Sequence, residues 1–341
     1  MHTKICGKMV NKRNYLFARG RRITGGLLAG IFLLLIPASF VYPADLFYAA
    51  GRGTGGAENN GTIWKYSRSK WSVHSVIAEC SEIFSLVVDS KAVIWAGGNY
   101  FDYGTVWSYQ DKKWSKGTRL AGCRGIYACL VDKKGNIWAG GTGTNNVWHF
   151  NGNEWDSGTK LDGCTGVYCL AVDNKGNIWA GGEGKKQVWG LSGDKWDQGT
   201  DLSDCNEVFA LCCDSSGTVW AGGRGGKSLW WFKEDKWFPG TILLDSNEIS
   251  AFSEDSQKTL YAAGAGRNKI WEKNTETDWG GTNCKECIAI YSIVSAENIT
   301  VAGGWNLSRR GRVWEKNKDG WSDGNDIENC YVIRSLAVVK K

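Results

Sequence analysis

The chain contains 341 residues, of which 41 are lysine or arginine and 35 are acidic, giving a formal charge of +6. Seven of the basic residues and no acid lie in residues 1–44. The rest of the chain is therefore close to neutral, which excludes nucleic-acid binding as the default interpretation. Hydrophobic residues make up 42% of the chain, which argues against disorder. The 20 tryptophans indicate an internal repeat.

Residues 1–44 have the pattern of an export signal. A basic run is followed by the uncharged stretch 23–44, which is most apolar at 27–36 and ends in small residues. The segment is either cleaved or, because it is just long enough to span a bilayer, retained as an N-terminal membrane anchor. Under both alternatives we expect residues 45–341 to be exported. Their destination is the periplasm, the extracellular space or the outer side of the cytoplasmic membrane.

The body of the chain repeats one unit seven times. One set of tryptophans recurs at steps of 41 or 43 residues: Trp64, Trp107, Trp148, Trp189, Trp230, Trp271 and Trp314. A second set follows seven or eight residues later: Trp71, Trp114, Trp155, Trp196, Trp237, Trp279 and Trp321. An earlier set is aromatic except at Val301: Tyr48, Trp95, Trp138, Trp179, Trp220 and Tyr261. Their recurrence in every unit predicts that most tryptophans pack between units.

Each unit is predicted to form four short strands. In the third unit the apolar segment 126–131 is typical of a strand buried on both faces, and a tight turn follows at 132–136. Segments 137–141, 147–150 and 154–156 complete the unit. Four-stranded units of 41 residues, repeated seven times, predict an all-β, seven-bladed β-propeller.

The ends of the repeat region predict how the ring closes. The chain enters the first unit at its second strand, near 45–50, and residues 330–339 match the innermost strand at 80–88. We therefore expect the C-terminal strand to complete the first blade. The predicted segments are 1–44 and 45–341, with repeats near 45–79, 80–122, 123–163, 164–204, 205–245, 246–286 and 287–329 and a closing strand at 330–339.

These residues resemble two known kinds of propeller repeat. The glycine pair, the following aromatic residue and the tryptophan seven positions later resemble the Kelch repeat. The D-x-x-G-N-I-W sequences at 132–138 and 173–179 resemble the two-component-regulator type. The resemblance covers about residues 45–341 and implies the fold. It implies no single activity, because such propellers serve as enzymes, lectins, sensors and protein-binding platforms.

The sequence offers no catalytic or metal-binding set. Beyond residue 44 the two histidines, His74 and His149, lie in different units, and neither has a second ligand at metal-binding spacing. Turn chemistry explains the recurring aspartates Asp89, Asp132, Asp173, Asp214 and Asp255. We therefore expect no catalytic residue, no metal and no cofactor.

Cysteine recurs where the innermost strands begin. Cys80, Cys123, Cys164, Cys205 and Cys330 share one position, Cys287 is predicted one residue out of register, and Ser246 takes the seventh place. Neighbouring blades could be joined as Cys287–Cys330, Cys80–Cys123 and Cys164–Cys205. The alternatives are buried reduced thiols and a thiol ring that binds a metal or haem.

The candidate binding surface is the sector where blades 7, 1 and 2 meet. Their loops between the second and third strands are predicted to be longer than elsewhere, at 305–312, 52–61 and 99–104. Exposed aromatic and planar polar side chains suit a sugar ring or the side chains of a partner. The candidates are Trp305, Tyr100, Phe101, Tyr103, Asp102, Arg52, Arg309 and Arg310, with Trp231 added as an aromatic on an exposed strand face. The alternative is ordinary loop variation.

These observations favour an exported, non-catalytic recognition module that binds a glycan or protein partner through its loop face. A membrane would be contacted only through an uncleaved N-terminal segment. The first alternative is an envelope enzyme, a lyase or hydrolase acting at the channel mouth, with Asp102 and Arg309 or Arg310 as its acid–base groups. The second alternative is a structural or assembly scaffold.

Overall fold

The computed structural model describes residues 47–54, 60–67, 70–275 and 277–339. Within these ranges the chain forms strands and turns, with no helix. None of the described residues forms a helix of the length and hydrophobicity that crossing a membrane requires. The predicted export segment at 1–44 lies outside the described residues.

The described ranges contain 29 strands. In chain order they are β1 Phe47–Gly53, β2 Gly61–Ser67, β3 Lys70–Ile77, β4 Glu82–Val88, β5 Ile94–Tyr100, β6 Tyr103–Gln110, β7 Lys113–Trp114, β8 Thr118–Arg119, β9 Cys123–Val131, β10 Ile137–Gly143, β11 Val147–Phe150, β12 Cys164–Val172, β13 Ile178–Gly184, β14 Val188–Ser192, β15 Lys195–Trp196, β16 Cys205–Cys213, β17 Val219–Gly225, β18 Leu229–Lys233, β19 Lys236–Thr241, β20 Ser246–Glu254, β21 Leu260–Gly266, β22 Ile270–Lys273, β23 Trp279–Thr282, β24 Cys287–Ala296, β25 Ile299–Asn306, β26 Gly311–Asn317, β27 Gly320–Trp321, β28 Asn325–Asp326 and β29 Cys330–Val338.

Antiparallel pairing groups these strands into blades around a central axis. The strands in the innermost position are β29, β4, β9, β12, β16, β20 and β24 for blades 1 to 7, each paired with the second strand of its blade. Each innermost strand contacts the next, and β24 contacts β29, which contacts β4. The contacts therefore form a closed ring. The predicted β-propeller is confirmed.

The first blade combines both ends of the described chain. Its sheet order is β29-β1-β2-β3, and the register of the first pair includes Ala49 opposite Leu336. The hydrophobic contacts continue across the junction, because Ile333 and Leu336 pack with Phe47 and Val313 of the neighbouring elements. The C-terminal strand therefore supplies the innermost strand of blade 1.

Glycine allows the blades to pack closely. A Cβ atom at Gly97 would lie 2.5 Å from the side chain of Ile126 in the next blade, and one at Gly140 would lie 2.6 Å from Val167. Contacts this short cannot be accommodated in a packed core. The first glycine of each Gly-Gly pair is therefore explained by the branched side chain of the following innermost strand.

The recurring tryptophans pack between neighbouring blades, as Trp189 does against Val147, and the recurring aspartates hold turns within a blade. The third-strand tryptophans are at most 1% exposed, and the indole Nε1 of Trp189 donates to the backbone oxygen of Asp162, 2.9 Å away. The carboxylate of Asp173 accepts hydrogen bonds from two backbone N–H groups of its turn and from Nε1 of Trp179. The structural interpretation of both sets is confirmed.

Candidate functional site

One end of the ring carries the loops that enter the innermost strands and the turns between second and third strands. We call this end the mouth face, because the central channel opens there beside the register cysteines. Backbone hydrogen bonds link the two kinds of loop: Arg267 N donates to Asp245 O, and Leu307 N donates to Glu286 O. The candidate residues predicted from the sequence, except Trp231, belong to this face.

Trp305 is part of a strand and does not lie in a loop. It belongs to β25, where it pairs with Ala289 on one side and Gly311 on the other. The centre of its ring lies 6.1 Å from the centre of the Tyr331 ring. The guanidinium of Arg52 lies 4.3 Å from the centre of the same Tyr331 ring. Trp305 and Arg52 are thus brought together through Tyr331, a residue that the sequence analysis did not select.

The blade 2 candidates form a second aromatic group. Tyr100 pairs with Tyr103 across a two-residue turn, so the expected long loop is instead a longer hairpin that includes Phe101 and Asp102. Arg119 lies 4.5 Å above the Tyr103 ring, while Phe101 is 68% exposed and has a φ of 52°. A positive φ is unusual for a bulky residue and costs free energy, so the two-residue turn, and not the preference of phenylalanine, sets the backbone conformation at Phe101.

Arg309 and Arg310 line a separate pocket on the mouth face. This cavity of about 610 Å³ also borders Thr54, Asp326 and Glu328. The guanidinium of Arg310 approaches a carboxylate oxygen of Asp326 at 4.0 Å, and both arginines are exposed. Asp102 lies in the blade 2 turn, so it does not share this pocket with the two arginines.

Trp231 does not lie on an exposed strand face. It is 8% exposed and stacks on Phe238 with the ring centres 5.5 Å apart and the planes nearly parallel. It also packs 5.8 Å from Trp220. The expectation of an exposed ring was wrong because Phe238 on the fourth strand covers the position.

The register cysteines are free thiols. None of the cysteines between residues 47 and 339 forms a disulfide, so the structure contains buried or, as at Cys205, half-buried thiols in place of the suggested staples. Burial raises the pKa of Cys123 and of Cys164 to about 12, which keeps both protonated and unreactive. Cys287 is also in register, since it pairs with Asn306 as Cys205 pairs with Gly225.

An aromatic belt surrounds the channel, and the sequence analysis did not identify it. The residue four positions after each register position faces the channel; in blades 1 to 7 these residues are Arg334, Phe84, Tyr127, Tyr168, Phe209, Ser250 and Tyr291. Ring centres are 4.9 Å apart for Phe84 and Tyr127, 5.5 Å for Tyr127 and Tyr168, and 5.7 Å for Tyr168 and Phe209. The signal in the sequence is a large side chain that recurs at steps of 41 or 43 residues, four positions after the register cysteines.

Arg334 continues the belt at the closing strand. Its guanidinium lies 4.4 Å from the centre of the Tyr291 ring and 5.9 Å from that of Phe84. It also donates to a Glu82 carboxylate oxygen at 2.6 Å. Burial alone would lower the pKa of Arg334, but the charge of Glu82 outweighs it and raises the pKa above its ordinary value. Arg334 therefore stays charged within the belt.

Each of three glutamates at the belt has a defined partner. Glu82 is paired with Arg334 and, at 3.8 Å, with Arg52. Glu183 accepts a 2.7 Å hydrogen bond from the Tyr168 hydroxyl. Burial, followed by this hydrogen bond, raises the pKa of Tyr168. Glu207 forms an ion pair with Arg224.

The Arg224 guanidinium donates to Glu207 at 2.7 Å and lies 5.7 Å from the Phe209 ring. The fourth glutamate, Glu248, has a different environment. Its side chain accepts only a long hydrogen bond of 3.4 Å from the Ser250 hydroxyl among the described residues. Blade 6 thus contributes a hydroxyl and an unpaired carboxylate where other blades contribute a ring or a guanidinium.

The belt encloses a cavity of about 360 Å³ at the channel. It is lined by Phe84, Tyr127, Tyr168, Phe209, Glu248, Ser250, Tyr291 and Arg334. Ser250 leaves a gap in the ring of large side chains between Phe209 and Tyr291. No group of histidine, cysteine, aspartate and glutamate in the described ranges is arranged to hold a metal ion. The arrangement can bind a group between aromatic walls, next to one carboxylate.

Comparison with known proteins supports the fold. A family model for the two-component regulator propeller matches residues 162–184, within blade 4. The chain is a β-propeller. No curated protein matches it. The match agrees with the two-component-regulator resemblance of the repeats, while the Kelch likeness stays a prediction.

Several solved structures share this fold at low sequence identity. Virginiamycin B lyase from Staphylococcus aureus is 10% identical, with a TM-score of 0.61 over 72% of this chain and 84% of the lyase. A protein from Lactobacillus plantarum is 10% identical, with a TM-score of 0.64 over 87% of this chain and 100% of that protein. The WD40 repeats of RRP9 are 14% identical, with a TM-score of 0.55 over 76% and 84% of the two chains. At such identities the likeness concerns the fold alone.

Proposed function

We propose that this β-propeller is a non-catalytic recognition module that binds a protein partner on its mouth face. The observation that carries the proposal is the distribution of exposed large hydrophobic residues. Seven are found in the described ranges, and five of them lie on loops or hairpin ends of the mouth face: Phe101, Tyr103, Ile242, Leu244 and Leu307. The other two, Val73 and Val76, lie on the outer strand β3.

The distribution around the channel favours a partner with a large surface. Phe101 belongs to blade 2, Leu307 to blade 7, and Leu244 to the loop that enters blade 6. A ligand that contacts all three must extend across the channel mouth. Protein interfaces of this kind combine apolar anchors with a polar rim, and here Arg309 and Arg310 supply charged groups beside Leu307.

A sugar ligand is less well supported, because the aromatic faces of the predicted sector are largely occupied. Tyr331 separates Trp305 from Arg52 and contacts both, and Arg119 covers one face of Tyr103. Stacking of a sugar ring needs an uncovered aromatic face. Phe101, with its large exposed fraction, is the aromatic residue of the sector that best meets this condition.

The enzyme alternative lacks an acid–base set at the mouth. The structurally similar virginiamycin B lyase is catalytically inactive when a histidine is replaced by alanine. In this chain His74 lies on β3 and His149 on β11, both away from the innermost strands. Asp102 does not line the pocket that Arg309 and Arg310 share. Binding without catalysis is therefore the better account. Together with the export pattern of residues 1–44, it suggests a partner outside the cytoplasm.

The proposal can be tested with a display library of protein fragments from the source organism, selected on the full chain. We expect selected fragments to lose about thirtyfold in affinity when Leu244→Ser and Leu307→Ser are combined, because two central apolar anchors are removed. The matched control combines Val73→Ser with Val76→Ser on the outer strand and is expected to leave affinity unchanged. Equal losses in both variants, or binding on a glycan array that persists in the Leu244→Ser and Leu307→Ser variant without any selected fragment, would contradict the proposal.

A further inference from the structure

We propose that the gap in the aromatic belt at Ser250 is a subsite for a cationic side chain, lysine or arginine, of the bound partner. This inference rests on the proposed recognition function and assigns a ligand class to the channel. The observation behind it is the combination, in one cavity, of aromatic walls and a carboxylate, that of Glu248, which forms no ion pair with a described residue. Neither feature by itself would identify a ligand.

The walls of the subsite are formed by the neighbours of Ser250 in the ring. Phe209 precedes it and Tyr291 follows it, and both line the same cavity as Ser250 and Glu248. The side chain of Ser250 is the smallest in the belt, so blade 6 is the one place where another group can complete the ring. The faces of aromatic rings attract cations because their π electrons carry partial negative charge.

The belt itself already uses this interaction. The Arg334 guanidinium lies 4.4 Å from the centre of the Tyr291 ring, and the Arg224 guanidinium lies 5.7 Å from that of Phe209. Both guanidinium groups are also paired with a carboxylate, Glu82 and Glu207 respectively. A ring, a guanidinium and a glutamate thus occur together twice in the belt. At blade 6 the glutamate is present and the cation is missing.

The charge balance agrees with a missing cation. The charged side chains that ion pairs, hydrogen bonds or cation–π contacts connect to the belt are three arginines, Arg52, Arg224 and Arg334, and four glutamates, Glu82, Glu183, Glu207 and Glu248. The cluster therefore has one more negative than positive charge. A carboxylate that is half-buried and unpaired is unfavourable, and an entering ammonium or guanidinium group would relieve this cost. Arg334 opposes entry only weakly because Glu82 compensates its charge.

The size of the cavity suits a side chain from a partner. A volume of about 360 Å³ exceeds the requirement of a single ammonium group and can accept the aliphatic stem of lysine or arginine. The stem would pack against the rings while the charged end reaches Glu248, since long basic side chains commonly bury their methylene groups in this way. The exposed rim residues would then contact the rest of the partner.

The direct test uses N-acetyl-L-lysine methylamide as the probe and ligand-detected NMR on the full chain. The uncharged norleucine analogue has the same stem without the amine. We expect millimolar binding of the lysine compound and about tenfold weaker binding of the norleucine compound, because the cation–π and carboxylate contacts are lost. Equal affinity for both compounds, or no binding of the lysine compound, would overturn the proposal.

Two variants locate the binding. Glu248→Gln removes the charge and is expected to weaken lysine binding about tenfold. Ser250→Tyr closes the gap with the residue that blades 3, 4 and 7 carry at the same position, so it is compatible with the fold, and it is expected to abolish binding. If either variant, verified as folded by its thermal transition, binds the probe as well as the wild type, the subsite is not at Ser250.

The matched control is Glu254→Gln, at the far end of the same strand. The Glu254 carboxylate accepts hydrogen bonds from Ser215 and lies outside the cavity. Glu254→Gln changes the net charge by the same amount as Glu248→Gln. Because Glu254 lies outside the cavity, we expect this variant to bind the probe as the wild type does. An equal loss in this control would mean that long-range charge, and not the subsite, attracts the probe, which would overturn the proposal.

Failure of this inference can be distinguished from failure of the proposed function. Fragments that bind through Leu244 and Leu307 but tolerate Glu248→Gln would leave the mouth-face interface intact and overturn the cation subsite. Probe binding that depends on Glu248, without any fragment that binds the mouth face, would support the subsite and contradict the protein-partner proposal.

Discussion

Blades 3 to 6 and the seam formed by blades 7, 1 and 2 hold their innermost strands together differently. In the regular blades the residue five positions after the register position is small. Its side chain forms no hydrogen bond to the backbone of the next innermost strand, except for the weak contact of the Cys169 thiol with Val208 O. At the seam this residue is serine. Its hydroxyl accepts from the next innermost strand: Ser292 from Leu336 N, Ser335 from Leu86 N and Ser85 from Cys129 N, at 2.8–3.0 Å.

The seam also has a partly buried ion cluster. Arg52 of β1, Glu82 of β4 and Arg334 of β29 come from strands that are far apart in the sequence. Between the regular blades the innermost strands meet mainly through apolar packing, and polar contacts such as the Lys273–Asp214 ion pair and the hydrogen bonds from Ser215 to Glu254 lie at the strand ends. Where the two ends of the ring meet, the structure adds directional hydrogen bonds and charges, which specify register more narrowly than apolar contacts do.

The largest expected effect tests what the two regions have in common. Trp189→Ala in blade 4 and Trp314→Ala in blade 7 each remove a fully buried indole. Each should lower the free energy of unfolding by about 3–5 kcal/mol, because a large cavity is left in a packed core. Chemical denaturation of both variants measures this. A small loss at Trp314 alone would mean that the seam does not share the common core.

A smaller loss in the free energy of unfolding distinguishes the seam from the regular blades. Glu82→Gln leaves Arg334 and Arg52 without their carboxylate, and Glu82 is only 11% exposed. We expect a loss of about 2 kcal/mol in the free energy of unfolding, less than for a fully buried pair because the arginines are partly solvated. Glu207→Gln is the control, since its partner Arg224 is 53% exposed. That variant should lose less than about 1 kcal/mol, and an equal loss would contradict the special role of the seam.

The aspartate turns of the regular blades predict a dependence on pH. Burial would raise the pKa of Asp173, but hydrogen bonds from Asn177, Trp179 and the turn backbone outweigh it and hold the pKa below its ordinary value. Because the folded-state pKa is the lower one, the stabilisation is complete above the ordinary value of 3.8 and is lost as the pH falls through the folded-state pKa.

Asp173→Asn should therefore cost about 1 kcal/mol at pH 7 and less at pH 3, where the wild type has lost part of this contribution. Urea unfolding at the two pH values measures the difference. Blade 7 has Val301 in place of the aromatic partner, so its turn offers no such contribution. A cost for Asp173→Asn that is larger at pH 3 than at pH 7 would contradict this account.

The smallest expected effect concerns the cysteines of both regions. Because the eleven thiols of the described residues are free, a reducing agent should leave the thermal midpoint unchanged. Titration of the unfolded, unreduced chain should find all of them reactive. A deficit of six thiols would instead favour the stapled pairs Cys287–Cys330, Cys80–Cys123 and Cys164–Cys205.

Much of the fold follows from the sequence alone. The period of the tryptophans, the aspartate turns and the match of 330–339 with 80–88 determined the repeated four-stranded unit and the closing strand. These features are local or strictly periodic, and each reports a contact that recurs in every blade. The structural role of Trp189 and Asp173 could therefore be inferred without coordinates.

Only the tertiary structure decided which side chains meet. Phe238 covers Trp231, Tyr331 joins Trp305 to Arg52, and the extra residues of blades 2 and 7 lengthen hairpins where loops were expected. The aromatic belt, with its gap at Ser250, needs the ring to close before its members become neighbours. One sequence supplies the residue types at each position, but side chains from different blades acquire a shared cavity and a shared charge balance only when the strands assemble around the axis.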